Sequence, residues 1–224
     1  IITFKLCLNE EKLTMGNNCN SNKNIDGMNT FERALKRMGD CLGAFLGLLF
    51  LSPMFLVIYI MQKIEGEGPA IFKQERIGKG GKPFYILKFR TMKVEAEKEG
   101  IPQLAQKEDD RLTKVGKFLR EHHLDELPQL WNVFVGEMSF VGYRPERKYF
   151  IDKIMKHNPD YDLLYVSRPG VTSNATLYNG YTDTMDKMLR RLDMDLDYLR
   201  NRTIALDLKI IFETAFSVGG GKKF

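Results

Sequence analysis

CLGAFLGLLFLSPMFLVIYIM, residues 41–61, carries no charged side chain from end to end. A helix needs about 20 predominantly apolar residues to cross a hydrocarbon core of roughly 30 Å. The run is long enough for membrane contact and too long for an ordinary buried core helix. Whether it spans is a separate matter. Pro53 lies inside it, removes a backbone donor and disfavours helix at Ser52. Lipid offers no partner for the carbonyl freed there, but the Ser52 hydroxyl can serve it. The arms on either side, 41–52 and 54–61, would be about 18 Å and about 12 Å long. Each reaches only part-way through the hydrocarbon.

The flanks point the same way. Arg33, Lys36 and Arg37 precede the run, and Lys63, Lys73 and Arg76 follow it. Cytoplasmic flanks collect Lys and Arg, so positive charge at both ends suits a segment that enters and leaves on one side. A re-entrant helix-break-helix hairpin, residues 28–63, is the preferred reading over a kinked span. Residues 1–27 are Asn-rich without apolar periodicity, and are expected to be a disordered or non-native leader, with Met28 a candidate start.

Residues 64–224 then form the body. The chain has 224 residues, 43% hydrophobic and 28% charged, as a folded domain does. A formal net charge of +5 favours an anionic partner. The cysteines, Cys7, Cys19 and Cys41, show no paired spacing, which argues against a disulfide framework or zinc site and makes a reducing cytoplasm the default. Ala70 to Gln74 and Phe84 to Phe89 read as strands joined by a turn at Gly78 to Pro83. Lys93 to Asp110 reads as a polar segment, either a mobile loop or a frayed helix near the site.

Helical spacing follows. Leu112, Val115, Phe118 and Leu119 predict a helix ending near Arg120, and Leu127, Leu130, Trp131 and Phe134 another stopped near Gly136. Tyr149–His157 and Thr182–Asn201 read as further helices. In the closing segment IALDLKIIFETAFSV, residues 204–218, Ile204, Leu208, Ile211, Phe212 and Ala215 form one apolar stripe with Asp207 and Glu213 off it. That stripe is either core packing or an interfacial face lying on the membrane. The expected fold is α+β and mostly helical: the membrane hairpin, then a compact cytoplasmic domain with a small β-hairpin and amphipathic interfacial helices.

The chemistry centres on HHLDELPQLW, residues 122–131. Asp125 stands where a helix N-cap would be, with Pro128 tolerated in the first turn. A helix end would stabilise an ionised Asp, as nucleophile or metal ligand. On this stretch alone, an ordinary cap with dipole complement is the commoner explanation of such a pair. Positive charge gathers around it in the sequence, however. Arg144 and Arg168 each precede a proline, which holds them extended on loops where a guanidinium can grip phosphate. Arg120, Lys88 and Arg90 add more. Together they suit phosphate chemistry at a bilayer surface.

Other chemistries find no motif. His122, His123 and His157 lack metal-binding spacing, and neither G-x-S-x-G nor G-x-x-x-x-G-K-[ST] occurs. GKGGKP sits in a hairpin turn. The charge is too mixed for a nucleic-acid surface, so no nucleic-acid partner is expected.

From about Phe31 to Val218 the chain resembles the bacterial sugar transferases, the monotopic polyprenyl-phosphate phosphoglycosyl transferases. The resemblance is carried by KRMGD, LFLSPMFL, GPAIFKQERIGKGGKPFYILKFRTM, DDRLTKVGKFLREHHLDELPQLWNVFVGEMSFVGYRP, SRPGVT and ALDLKIIFETA. It implies that Asp125 and Glu126 are the catalytic dyad and that Ser52 and Pro53 bend a re-entrant helix. The catalytic domain would then lie on the cytoplasmic face of the bacterial inner membrane. It implies transfer of a sugar-1-phosphate from a UDP-sugar to undecaprenyl phosphate, through an acyl phosphate on Asp125, with release of UMP. The resemblance also implies a magnesium requirement, with Asp125 as a ligand. Arg120, Arg144 and Arg168 match family arginines, and Lys88 and Arg90 join the substrate-binding set. Glu126 could orient the site or manage a proton. A homo-oligomer is an allowed state.

There are departures from the family pattern. Tyr143 replaces the first proline of Gly-Pro-Arg-Pro, and SNATLYNGYTDT follows the last Arg-Pro element; both bear on the donor pocket. The alternative is a membrane-tethered, non-catalytic scaffold binding anionic lipid.

Overall fold

The computed structural model describes residues 25–93, 109–180 and 182–219. Its first element, helix α1 (Thr30–Glu65), is 36 residues long. The start is a capping box. Glu32 N–H donates to Asn29 Oδ1 at 2.9 Å, and Asn29 N–H donates to Glu32 Oε2 at 3.0 Å. The helix runs through Ser52–Pro53 without leaving helical conformation, so the two arms expected from sequence are segments of one helix. Pro53 cannot serve the carbonyl four residues back, that of Leu49. Ser52 Oγ–H donates to that oxygen at 2.8 Å.

One stripe of α1 packs along the body over its whole length. Near the start, Arg37 donates to Val133 O at 2.6 Å and Phe134 O at 2.9 Å, and Asp40 Oδ1 accepts from Phe140 N–H. Ala44 lies in a core cluster with Phe84, Ile86, Val133 and Met138. Near the end, Ile58 packs with Phe89 and Leu119, Gln62 donates to Arg90 O, and Glu65 accepts from Val115 N–H at 2.8 Å. The remaining faces are bare: Leu42, Leu49, Phe50, Leu56 and Val57 are all more than half exposed. The most apolar stretch of the helix has a mean hydropathy of 2.4, yet only 11% of it is buried. That is the reverse of a soluble core helix, and the helix is long and apolar enough to cross a membrane.

Strands β1 (Ile71–Ile77) and β2 (Pro83–Phe89) form an antiparallel hairpin with Gln74 opposite Ile86. Their turn is a short 3₁₀ segment, Lys79–Gly81, in which Gly80 and Gly81 both have φ of +69°. Helix α2 (Lys114–Glu121) is capped by Thr113. A 3₁₀ turn (Leu124–Glu126) then leads into α3 (Gln129–Val135). Most of the polar segment expected between Lys93 and Asp110 lies outside the described residues, as do residues 1–24.

A second sheet was not expected from sequence. β3 (Ser139–Val141) pairs in parallel with β4 (Gly170–Thr172). Three-residue strands carry no readable period. Their approach depends on glycine instead: a Cβ at Gly170 would fall 2.1 Å from the backbone nitrogen of Gly142.

The rest is helical: α4 (Lys148–Met155), a 3₁₀ stretch (Pro159–Val166), α5 (Asn174–Asn179), α6 (Met185–Asn201) and α7 (Ile204–Gly219). α4, the 3₁₀ stretch and α6 enclose the main core, built on Phe150, Ile154, Tyr161, Leu164, Leu192, Leu196 and Leu199. Asp195 of α6 is buried in that region, and burial pushes its carboxyl up to about 7, against the opposing pull of Arg191. The folded state therefore retains a proton that the unfolded chain has lost between pH about 4 and about 7. Stability should fall as pH rises through that window and level off above it. Asp195→Asn should abolish this slope, which thermal unfolding in detergent at pH 5 and pH 8 would reveal.

Residues 25–27, expected to lie within a disordered leader, are instead seated on the body: Gly27 N–H donates to Leu199 O at 2.9 Å, and Asp26 pairs with Arg202 from 176 residues away. In α7, Asp207 is on the buried face. It accepts from Lys36 and from the Tyr198 hydroxyl, beside Ile210, which is 1% exposed. The apolar stripe points outward instead, with Leu208, Phe212 and Phe216 each more than 60% exposed. Core packing is thus not what the stripe does.

Candidate active site

Three separated segments meet at the acidic pair. The 3₁₀ turn presents Asp125 and Glu126, the end of β2 presents Lys88, and the chain leaving β3 presents Arg144. Lys88 Nζ lies 2.6 Å from Glu126 Oε1, and Arg144 Nη2 lies 3.6 Å from the same oxygen. The dyad is not at a helix N-cap, contrary to expectation. α3 begins four residues beyond Asp125, and its cap position is Pro128, which offers no side-chain bond. His123 is the reason. It adopts a left-handed backbone (φ +55°), which breaks the path from α2 and tightens the following residues into the 3₁₀ turn.

The helix-end account of Asp125 goes with it. Burial raises the Asp125 carboxyl to about 6, and the neighbouring Glu126 charge adds to that shift, against the pull of Lys88 and His123. Burial also acts on Glu126, but Lys88 and Arg144 outweigh it and hold that carboxyl well below its usual range. The adjacent acids are thereby separated in character. Glu126 is a fixed anion within a cationic grip, and Asp125 is a buried carboxylate whose negative charge the site does little to stabilise. A group of that kind gains from taking an electrophilic phosphorus or a divalent cation, because either relieves its unfavourable charge.

The other expected residues are placed by their contacts. Arg120 is half-buried in the last turn of α2, which packs against the dyad's turn. Arg90 closes the end of α1 by donating to the carbonyls of Gln62, Gly66 and Glu67. Arg168 donates Nε–H to Gly136 O at 2.8 Å, just past the end of α3. It lines a separate crevice with Arg33, Lys36, Lys79 and Arg202. Ser52 and Pro53 lie exposed on α1. Sequence reasoning passed over His123. Its place two residues before Asp125 was the available signal.

The chain belongs to the bacterial sugar transferase family, whose model matches residues 31–221. It is 43% identical over 191 residues to a UDP-glucose:undecaprenyl-phosphate glucose-1-phosphate transferase of Klebsiella pneumoniae, covering 84% of this chain and 41% of that protein. It is 38% identical over 180 residues to a UDP-N-acetylgalactosamine-undecaprenyl-phosphate N-acetylgalactosaminephosphotransferase of Aeromonas hydrophila, covering 80% and 42%. The chain therefore spans about two fifths of the length of these relatives. An exopolysaccharide production protein, PSS, of Rhizobium leguminosarum is 37% identical over 192 residues, covering 83% of this chain and 96% of that protein.

Proposed function

We propose that this chain transfers a sugar-1-phosphate from a UDP-sugar to undecaprenyl phosphate and releases UMP, opening assembly of a surface glycan at the membrane. The observation that carries this reading is the split dyad, with Lys88 and Arg144 directed at Glu126 and Asp125 buried beside them. The family membership and the printed activities of the relatives support the same chemistry.

An oxygen of ionised Asp125 attacks the phosphorus that bears the sugar. The bond from that phosphorus to the bridging oxygen breaks, and UMP leaves with the electron pair. An acyl phosphate now joins Asp125 to the sugar phosphate. A phosphate oxygen of undecaprenyl phosphate attacks the same phosphorus and restores the Asp125 carboxylate, yielding the diphosphate-linked sugar. Lys88 and Arg144, held in place by the fixed Glu126, orient the transferring group and offset its charge.

Magnesium fits this donor set. Among the described residues no cluster of three or more His, Cys, Asp or Glu forms a closed cage. The ion typically takes only one or two carboxylates and completes its shell with substrate phosphates and water. Asp125, with Glu126 adjacent, would hold it. When bound, it supplies charge neutralisation to the phosphates.

The packing of α1 supports one membrane disposition. Its first turns and its last turns both pack on the catalytic body, which a straight crossing would not allow. We read it as re-entrant in the cytoplasmic leaflet, with the exposed apolar stripe of α7 lying in the same interface. The activity test is UMP release by detergent-solubilised protein given magnesium, undecaprenyl phosphate and either UDP-glucose or UDP-N-acetylgalactosamine. Release that depends on the lipid supports the reading, and none with a broad donor panel opposes it. For topology, single cysteines introduced as Arg33→Cys and Lys63→Cys should be labelled from the same side of sealed vesicles. Labelling from opposite sides would rule out the re-entrant arrangement.

A further inference from the structure

Around the residues that follow Arg144, charge is arranged for a purpose the dyad alone does not explain. Glu146 Oε1 accepts from Arg191 Nη1 of α6 at 2.8 Å, and its Oε2 lies 3.2 Å from Arg76 Nη1 of β1. All three side chains are at most 16% exposed. Arg76 Nη1 also donates to Pro145 O at 3.1 Å, and Ile77 N–H donates to Glu146 O at 3.2 Å. Gly170 N–H donates to Tyr143 O at 2.8 Å, and Asp195 accepts from the Arg144 backbone N–H. Every residue from Tyr143 to Glu146 is thus tied to β1, β4 or α6.

The pairing also settles a competition. Glu146 stands two residues from Arg144 and would be a natural partner for its guanidinium. Its two oxygens are instead taken by Arg76 and Arg191, whose like charges repel Arg144 from that side. Arg144 reaches Glu126 on the other.

We infer that Glu146, bridged between Arg76 and Arg191, is a positioning residue that holds Arg144 against the dyad. This rests on the transferase reading of the site. It makes Glu146 matter to the reaction without touching substrate.

The test is a double-mutant cycle on the full chain in detergent, measuring kcat and KM for UMP release alongside melting temperature. The donor is whichever of UDP-glucose and UDP-N-acetylgalactosamine is used. Glu146→Gln should lower kcat/KM by about tenfold when Arg144 is present and by less than about twofold in an Arg144→Ala background. Its effect on melting temperature should be the same in both backgrounds. If Glu146→Gln does not fold, Glu146→Asp enters the same cycle, because it keeps the charge that compensates the arginines but is too short to bridge both. An equal loss of kcat/KM in both backgrounds, or none in either, overturns the inference while leaving the transferase reading intact. An Arg144→Ala variant with unchanged UMP release instead overturns the role given to Arg144, and the inference with it.

Discussion

Asp125→Asn is expected to lower UMP release by about 10³-fold or more while leaving the melting temperature within a few degrees of the parent. The amide is nearly the same shape but cannot form the acyl phosphate. The small effect on stability follows from the site itself. Burial and the Glu126 charge make ionised Asp125 an unfavourable group, so a neutral side chain costs the fold little. Steady-state rates with saturating donor and lipid, together with thermal unfolding, provide the check. Near-normal turnover would remove Asp125 from the covalent step. The corresponding change at Glu126 should behave differently: Glu126→Gln leaves Lys88 and Arg144 facing a neutral amide, so both activity and stability should fall.

Arg202→Met is expected to destabilise the protein by about 3–5 kcal/mol. Arg202 Nε donates to Asp26 Oδ1 at 2.7 Å and Nη2 to Oδ2 at 2.5 Å, with both side chains 5% exposed. Burial opposes both charges, yet the pairing outweighs it, holding the Asp26 carboxyl below its ordinary value and the Arg202 guanidinium above its own. Removing Arg202 leaves the buried Asp26 carboxylate with only the more exposed Arg33, at 3.3 Å, as counter-charge among the described residues. It also releases residues 25–28, where Met28 is 2% exposed, from their seat on α6. Because the Asp26 carboxyl titrates lower in the folded state than in the unfolded, this contribution is present above pH about 4 and disappears as the solution becomes more acid. Thermal unfolding in detergent at pH 7 measures the loss, and a change below about 1 kcal/mol would show the pair to be dispensable.

What the sequence displayed clearly was periodic or compositional. The uncharged run at 41–61 announced the long helix, and the apolar-rich run at 84–89, set off by a glycine turn, announced a strand. The 3.6-residue pattern from Leu127 to Phe134, stopped by a glycine, located α3 to within two residues. What it hid depends on partners far along the chain. Asp207 is acidic and looked solvent-facing, but Lys36 and Tyr198 draw it inside, turning the apolar stripe of α7 outward. Arg90 and Arg168 read as phosphate ligands because guanidinium groups recommend themselves for that role. The carbonyls they bind could not be read from local spacing. For Asp125, an acid followed by proline has the same local signature as a helix cap, and the backbone turn at His123 decides between cap and 3₁₀ turn. The dyad itself was legible, and so was its cationic company at Lys88 and Arg144. The division of labour within it was not, since it arises from which oxygen those cations reach.

The mechanism proposed from that division passes through a covalent intermediate, which can be sought directly. The protein should be incubated with magnesium and UDP-glucose or UDP-N-acetylgalactosamine, without lipid acceptor, quenched in acid and its intact mass measured. The expected result is a species heavier by one sugar phosphate, mapped by peptide analysis to Asp125, discharged on adding undecaprenyl phosphate and absent from Asp125→Asn. Stoichiometric turnover to the lipid-linked product with no such species, or the adduct on another residue, would contradict it.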